Sequence, residues 1–399
     1  MSRSSTADGG GTRVGGSRGL SPSTLLLIGL TCAVCVANNY YSQPLLLDIA
    51  RSLGISKSFA GLAPTMTQVG IAAGMFLILP LGDRIDNRMM TTTLLFFQAV
   101  ALSVMASTEH PALFFLAGLV AGLCGIVTYL LPAYATRLVA PARRGTITGM
   151  LATGILTGIM LGRSLAGMAG FAWGWRAVYA SAALATFIMA TVMRRCMPPT
   201  PDLRPQPYGE LMRPLVTLAQ TSALLRRSTL LQALSFGSFN MLWVGLTLHL
   251  QEAPFHLDTR QIGGLSLVAV TAALSAPVLG RLADRRSMAP ALRLAFLLNT
   301  AGWVALLLIP ASYFGIVAGM VLVGIGSIGT DVTLRATLYG LTPEIRMRLN
   351  AFYSTGTFLG GSLFSLLTPI LMAGLGWSGF VATALLLNLA GLALVHKEH

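Results

Sequence analysis

Three ionisable side chains interrupt apolar runs long enough to cross a lipid bilayer. Arg163 stands in the run 145–170, and Asp331 and Arg335 stand in the run 313–338. A charge in a membrane span is costly and by default faces a cavity or a partner, so each marks a place where an ion or a charged solute is handled. By helix rise Arg163 lies about 27 Å from Gly145, in the outer third of its run. Two readings of it stay open. It faces a central cavity, where it attracts an anionic group or a carboxylate from another helix, or its long side chain snorkels to the nearer surface. Asp331 and Arg335 are four residues apart, which puts them on one helix face, able to pair. Asp331 is the leading candidate for a proton carrier with Arg335 tuning it, and a structural ion pair facing a vestibule is the alternative.

Uncharged polar and amphipathic residues also fall inside apolar runs: Asn38, Gln43, Gln68, Tyr129, Asn240, Trp243 and Thr271. Small-molecule sites are mostly apolar with a few placed polar groups, and this is such a mixture. Interhelical hydrogen bonding is the competing reading for each. Met66, Phe236, Phe239 and Phe358 supply apolar lining or simple packing. Asp48 falls at a run's end and reads as a hydrated helix terminus. Cys32 and Cys35 form a C-x-x-C inside a continuous apolar helix and read as small packing residues. The sequence contains no H-E-x-x-H and no G-x-x-x-x-G-K-[ST], which points away from a zinc-dependent hydrolase and from nucleotide-driven work. No metal or cofactor is expected.

The elements that position these residues follow from composition. Of the 399 residues 54% are hydrophobic and only 10% charged, with a mean hydropathy of +0.72, against roughly 25% charged in soluble domains. Lipid is the expected solvent. Spans of ~20 apolar residues fall near 22–47, 59–80, 90–108, 111–135, 145–170 and 176–194, then near 228–251, 261–281, 289–310, 313–338, 347–373 and 376–395. The expected fold is all-α, with about twelve transmembrane helices. Residues 1–20, rich in Ser and Gly, read as a disordered tail. Residues 21–194 read as a first six-helix bundle, 195–226 as a Pro/Arg-rich linker, and 227–399 as a second bundle.

The net charge of +14 is topological and not the mark of a nucleic-acid partner. With the N-terminus inside, 21 of the 27 Lys and Arg residues fall on the cytoplasmic side and 4 on the other. The positive-inside rule then places both termini in the cytoplasm. An internal repeat runs at an offset of 201–202 residues. Asn38 meets Asn240, Gly61 meets Gly263, Asp83-Arg84 meets Asp284-Arg285, Pro141 meets Pro343, and Gly174-Trp175 meets Gly376-Trp377. Parallel halves about an axis along the membrane normal, with a site between them at mid-membrane, are a transporter architecture. The halves differ where chemistry is expected: Arg163 answers to Ser365, and Asp331 to Tyr129.

Over residues 22–395 the chain resembles the major facilitator superfamily, and most of all its twelve-helix drug and metabolite efflux branch. The run Gly280-Arg281-Leu282-Ala283-Asp284-Arg285 is similar to the family's signature between helices 2 and 3. Its first copy, Leu81-Gly82-Asp83-Arg84 closing on Arg88, is a looser match. Asn38-Asn39-Tyr40-Tyr41-Ser42-Gln43-Pro44-Leu45 and the run Pro343 to Asn350 with Tyr353 and Gly360-Gly361 are similar to a sub-branch of efflux permeases. Two departures stand out. No Arg occupies the fourth-helix stretch Leu116 to Gly122, and Arg163 stands where the fifth-helix antiporter motif has Pro. The resemblance implies proton-coupled export of a small molecule by alternating access. Asp83, Arg84, Arg88, Asp284 and Arg285 would form the cytoplasmic gate. It also implies a monomer in a bacterial inner membrane, with protons and the lipid bilayer as its other partners. An uncoupled facilitator or importer is the alternative, and a non-transporting sensor a remote one.

Overall fold

The computed structural model of the chain describes residues 20–140, 143–200, 207–275, 288–339 and 346–396, and within these every regular element is helical. In order they are α1 (Pro22–Ala37), α2 (Leu46–Ser52), α3 (Lys57–Ala60), α4 (Leu62–Leu77), α5 (Asn87–Ser107), α6 (Pro111–Cys124), α7 (Val127–Arg137), α8 (Arg144–Trp173), α9 (Trp175–Cys196), α10 (Tyr208–Thr221), α11 (Ala223–Leu250), α12 (Thr259–Leu265), α13 (Ala269–Leu274), α14 (Met288–Leu308), α15 (Tyr313–Tyr339) and α16 (Arg346–His396). In hydrocarbon every backbone polar group must be satisfied within the chain, which is why a sequence this apolar resolves into helices. Nine stretches among the described residues are long and apolar enough to cross a membrane. One of them, Leu349–His396, turns at Gly376 and holds two spans. With α1–α2 and α12–α13, the expected twelve are accounted for.

The repeat is visible in the backbone. Gly174 and Gly376, matched at an offset of 202, both take positive φ, 81° and 66°. Each makes the sharp turn between the last two spans of its half, a conformation open to glycine and strained for other residues. The first span differs from the expected single helix 22–47. It unwinds between Asn38 and Leu45, where i→i+3 bonds such as Asn39 N–H to Val36 O and Tyr40 N–H to Ala37 O replace the helical ladder. Pro44 explains this locally, since it has no N–H to donate and its ring crowds the carbonyl of Tyr40. The stretch is buried apart from Tyr41, and inside a membrane such backbone is tolerated when protein covers it. The fourth span breaks at Gly125–Ile126. The eighth breaks after Leu265, where Ser266 Oγ donates to the Gly263 and Met160 carbonyls.

The described parts of the 195–226 segment, 195–200 and 207–226, are largely helical. α9 runs on to Cys196, and α10 buries Leu211 and Leu215, four residues apart. Tyr208 Oη ties the start of α10 to the Leu77 carbonyl at 2.8 Å, and α10 packs on α11 and α16. Leu20 packs in one cluster with Met193 and Met197, and Arg227 donates to the Leu394 carbonyl. The start of α1, the end of α16 and the described parts of 195–226 therefore share one face, called here the linker face; the opposite is the far face.

α8 is the axle of the site. Gly154, Gly158 and Gly162 lie against Gly29, Ala33 and Ala37 of α1, with Gly154 backing on the Gly29 carbonyl and Gly162 on Ala37 Cβ. One helical turn further, Gly167 faces Gly263 of α12. Small residues at four-residue spacing let these backbones touch. Gly158→Val is expected to force α1 and α8 apart and cost about 1–3 kcal/mol, read as a lower melting temperature in detergent. Gly149→Ala, with open space at its Cβ position, should leave it unchanged or slightly raised.

Candidate functional site

Amide side chains join the two halves at the centre. Asn240 Oδ1 on α11 accepts from Gln68 Nε2 of α4 at 2.8 Å and from Gln43 Nε2, in the unwound stretch, at 3.5 Å. Gln68 Nε2 also donates to Ser365 Oγ at 3.2 Å, and its amide lies against the bare backbone of Gly361. All three amides are buried, and the Oε1 atoms of Gln43 and Gln68 have no hydrogen-bond partner. Asn38, the repeat mate of Asn240, has the other role weighed for it. Its Nδ2 donates to Thr186 Oγ1 at 2.9 Å and ties the first span to the sixth within one half.

Rings run from this cluster in both directions. Tyr129 meets Phe358 edge to face at 6.0 Å, Phe358 meets Phe236 at 5.4 Å, Phe236 stacks on Phe239 at 6.4 Å, and Phe239 meets Trp243 at 6.3 Å. Tyr129 belongs to the first half and the other four to the second, so this ladder also crosses the interface. At its end stands Arg163, 2% exposed, its guanidinium between the rings of Tyr40 at 4.5 Å and Trp243 at 4.4 Å. The side chain does not snorkel; it faces the interface between halves. Its Nε and Nη2 have no hydrogen-bond partner, and none of the ion pairs among the described residues includes it.

Asp331 and Arg335 pair as the spacing predicted. Arg335 Nε lies 2.9 Å from both carboxylate oxygens, Tyr353 Oη donates to Asp331 Oδ1 at 2.9 Å, and Arg335 Nη1 donates to Asn350 Oδ1. The pair keeps roughly a third of each side chain exposed, 32% and 29%. The site candidates are therefore in two groups on different levels, with Tyr129 and Phe358 on the route between them. Thr271 joins neither. It is exposed on α13, with its hydroxyl donating to the Val268 carbonyl at 2.7 Å.

On the linker face Asp83 pairs with Arg137 of its own half, and Arg84 is exposed. Arg88 opens α5; Asp284 and Arg285 lie outside the described residues. The structured part of this loop centres on Asp86, which sequence reasoning passed over. Asp86 Oδ1 accepts from Arg88 N–H at 3.2 Å and from Thr200 N–H at 2.8 Å and Thr200 Oγ1 at 3.1 Å. Partial burial opposes its ionisation, but these bonds and the Arg88 charge outweigh that and hold the carboxyl below its usual range. One carboxylate thus caps α5 and staples the start of the linker to it.

On the far face, contacts between halves were missed in the sequence. Lys57 Nζ meets Glu252 Oε1 at 2.6 Å, and Thr259 Oγ1 donates to Asp48 Oδ2 at 2.6 Å. Asp48 is thus a cross-half acceptor and more than a hydrated helix end. The repeat offset finds equivalent positions, and these partners are not equivalent.

The model of the Major Facilitator Superfamily matches residues 27–252 and 228–398. The chain belongs to the Major Facilitator Superfamily. It is 31% identical over 373 residues to the uncharacterized transporter YgaY of Escherichia coli O157:H7, covering 93% of this chain and 95% of that one. It is 32% identical over 371 residues to the probable transporter SCO4007 of Streptomyces coelicolor, covering 90% and 84%. Among solved structures the nucleoside transporter NupG has the same fold at 13% identity, with a TM-score of 0.77 over 93% of this chain and 98% of that one. The human organic anion transporter MFSD10 has it at 16% identity and a TM-score of 0.67, covering 94% and 100%. This superfamily chain is a multi-pass membrane transporter.

Asp86→Asn removes the charge and keeps the shape of the α5 cap. Because the folded carboxyl titrates below its unfolded value of about 3.9, its stabilisation is present above that pH and is lost as pH falls through the folded value. The variant should melt below wild type at pH 7, by about 1 kcal/mol as for a lost cap. The difference should close as pH falls below about 4, measured by paired thermal melts.

Proposed function

We propose that the chain is a secondary active exporter of small molecules that exchanges its solute for protons. Its six-helix bundles, 21–194 and 227–399, would rock about the central seam, with 195–226 as the connection and the linker face in the cytoplasm of a bacterial cell. The observation that carries the reading is the Asp331–Arg335 pair in an apolar span, about a third exposed and backed by Tyr353 and Asn350. Loading a proton on Asp331 would release Arg335 to Asn350, and the loss of the ion pair would alter the packing of α15 on the start of α16. A charge change coupled to a two-state contact is what proton-driven transport needs.

The rest of the geometry supports alternating access. Spans broken at membrane depth are the usual place for transporter sites, and Gln43 and Tyr40 lie in such a break. The contacts between α4 and α16 and between α8 and α12, with Lys57–Glu252 and Asp48–Thr259, close the far face. Opening toward that face would have to break them. The efflux direction rests on the resemblance of Asn38–Leu45 and of the Asp83-Arg84 loop to export permeases. The second reading, facilitated passage without protons, draws on the same pair: a bidentate Arg–carboxylate is also a good static brace.

In everted membrane vesicles an imposed pH gradient, acid inside, should drive accumulation of solute from a mixed panel of neutral, cationic and anionic small molecules, followed by mass spectrometry. Asp331→Asn should reduce gradient-driven accumulation at least tenfold while leaving solute exchange at equal pH. Coupling as in wild type would remove Asp331 as carrier. Flux unchanged on collapsing the gradient would favour the facilitator.

A further inference from the structure

We infer that the transported solute is a small organic carboxylate with an apolar, planar body, whose anionic group is received by Arg163. This rests on the transporter reading above and names the chemical class its site takes.

The argument begins with what Arg163 lacks. A buried guanidinium costs heavily in desolvation unless a counter-charge and hydrogen bonds offset it. Here the charge is 2% exposed, Nε and Nη2 are unpartnered, and it belongs to no ion pair among the described residues. Two rings flank it instead, Tyr40 from the first half and Trp243 from the second. Aromatic faces attract a cation and hold its plane, but they accept none of its N–H bonds in the fork that suits a carboxylate. The protein thus keeps a desolvated, oriented, two-pronged donor at the seam between its halves, and none of the described residues supplies an anion to it.

The surroundings complete a ligand. Trp243 Nε1 is a buried donor without an acceptor, beside the guanidinium. Asn240 lies three residues before Trp243 on α11, so the Asn240–Gln43–Gln68 cluster sits about one helical turn, roughly 4.5 Å, from the Trp243 level. That cluster carries unsatisfied amide ends at Gln43 and Gln68. Because amide O and N are assigned from networks, these ends can give or take a hydrogen bond. Phe236 lies beside Gln68 over Gly361, Phe358 meets Phe236, and Phe239 meets Trp243, so apolar rings flank these groups. An anionic head, a flat apolar body and one polar substituent about a helical turn away would satisfy what is left open. A cation would face Arg163 across low dielectric, and a neutral solute would leave the guanidinium unpaired.

The site also joins ligand to movement. Arg163 and Tyr40 belong to one half and Trp243 to the other, so a carboxylate held by Arg163 and Trp243 Nε1 bridges the halves. Binding energy would act on the relative position of the bundles, which is where alternating access needs it.

The test uses purified full-length protein in detergent, with benzoate, 4-hydroxybenzoate and hexanoate as probes and their carboxamides as matched neutral controls. Binding is followed by melting temperature and by tryptophan fluorescence. At least one carboxylate should bind and its carboxamide should bind at least tenfold more weakly. Arg163→Gln should lose the carboxylate response more than tenfold, and Arg163→Lys should retain part of it. Without ligand, Arg163→Gln should melt at or above wild type, because an uncompensated charge is gone; a structural strut would instead melt lower. Trp243→Phe, which keeps a ring and removes the N–H, should weaken the carboxylate without lowering the ligand-free melting temperature. The inference is overturned if none of the carboxylates binds, if acid and amide bind alike, or if folded Arg163→Gln binds as wild type. Proton-driven flux of a neutral or cationic solute through Arg163→Gln would overturn it while leaving the transporter reading intact. Absence of any gradient-driven flux in wild type, with the carboxylates still bound, would do the reverse.

Discussion

The seam between the two halves depends on one acceptor, Asn240 Oδ1, which takes hydrogen bonds from Gln68 and Gln43 of the opposite half. In an apolar core an amide cannot be left without partners except at a cost of several kcal/mol. The hydrogen bonds of Gln68 to Ser365 and of Ser266 to the Met160 carbonyl also cross the seam, beside ring and glycine contacts, which have little directionality. The amide cluster sets where α4, the unwound part of the first span and α11 meet. It thereby places the Trp243 ring over Arg163, one turn along α11. Asn38, its mate in the repeat, bonds to Thr186 inside its own half. A duplicated residue has thus been given to internal packing in one copy and to the joint in the other.

That division explains which parts of the structure were legible in the sequence. Span number and the repeat follow from hydropathy and spacing, because lipid allows little besides helices and duplication preserves turns. Gly174 and Gly376 are the clearest case, two matched glycines that both take positive φ. The Asp331–Arg335 pair was also legible, since both residues lie on one helix. What stayed hidden required knowledge of the partner helix. The unwinding of 38–45 depends on Pro44 together with burial on all sides, and hydropathy alone reads the stretch as continuous. α10 was hidden among prolines and arginines, although Leu211 and Leu215 carry its period.

Cross-half pairs form the other hidden class. Lys57 with Glu252 and Asp48 with Thr259 join positions that the repeat does not relate, and each residue alone looks like an exposed or hydrated helix end. Thr271 shows the converse. Its place in a span marked it as lining, but the break after Leu265 turns it outward. Arg163 was singled out by its sequence setting, and its burial, ring contacts and missing counter-ion needed the fold.

The central claim is that the far-face contacts belong to one of two states through which a transporter of this family passes. Spin labels placed at Lys57→Cys and Glu252→Cys, read by double electron–electron resonance in lipid nanodiscs, test it most directly. The account predicts two distance populations, one matching the closed contact and one longer, whose ratio shifts with pH or with an added carboxylate. A single short distance under every pH and solute tested would contradict it.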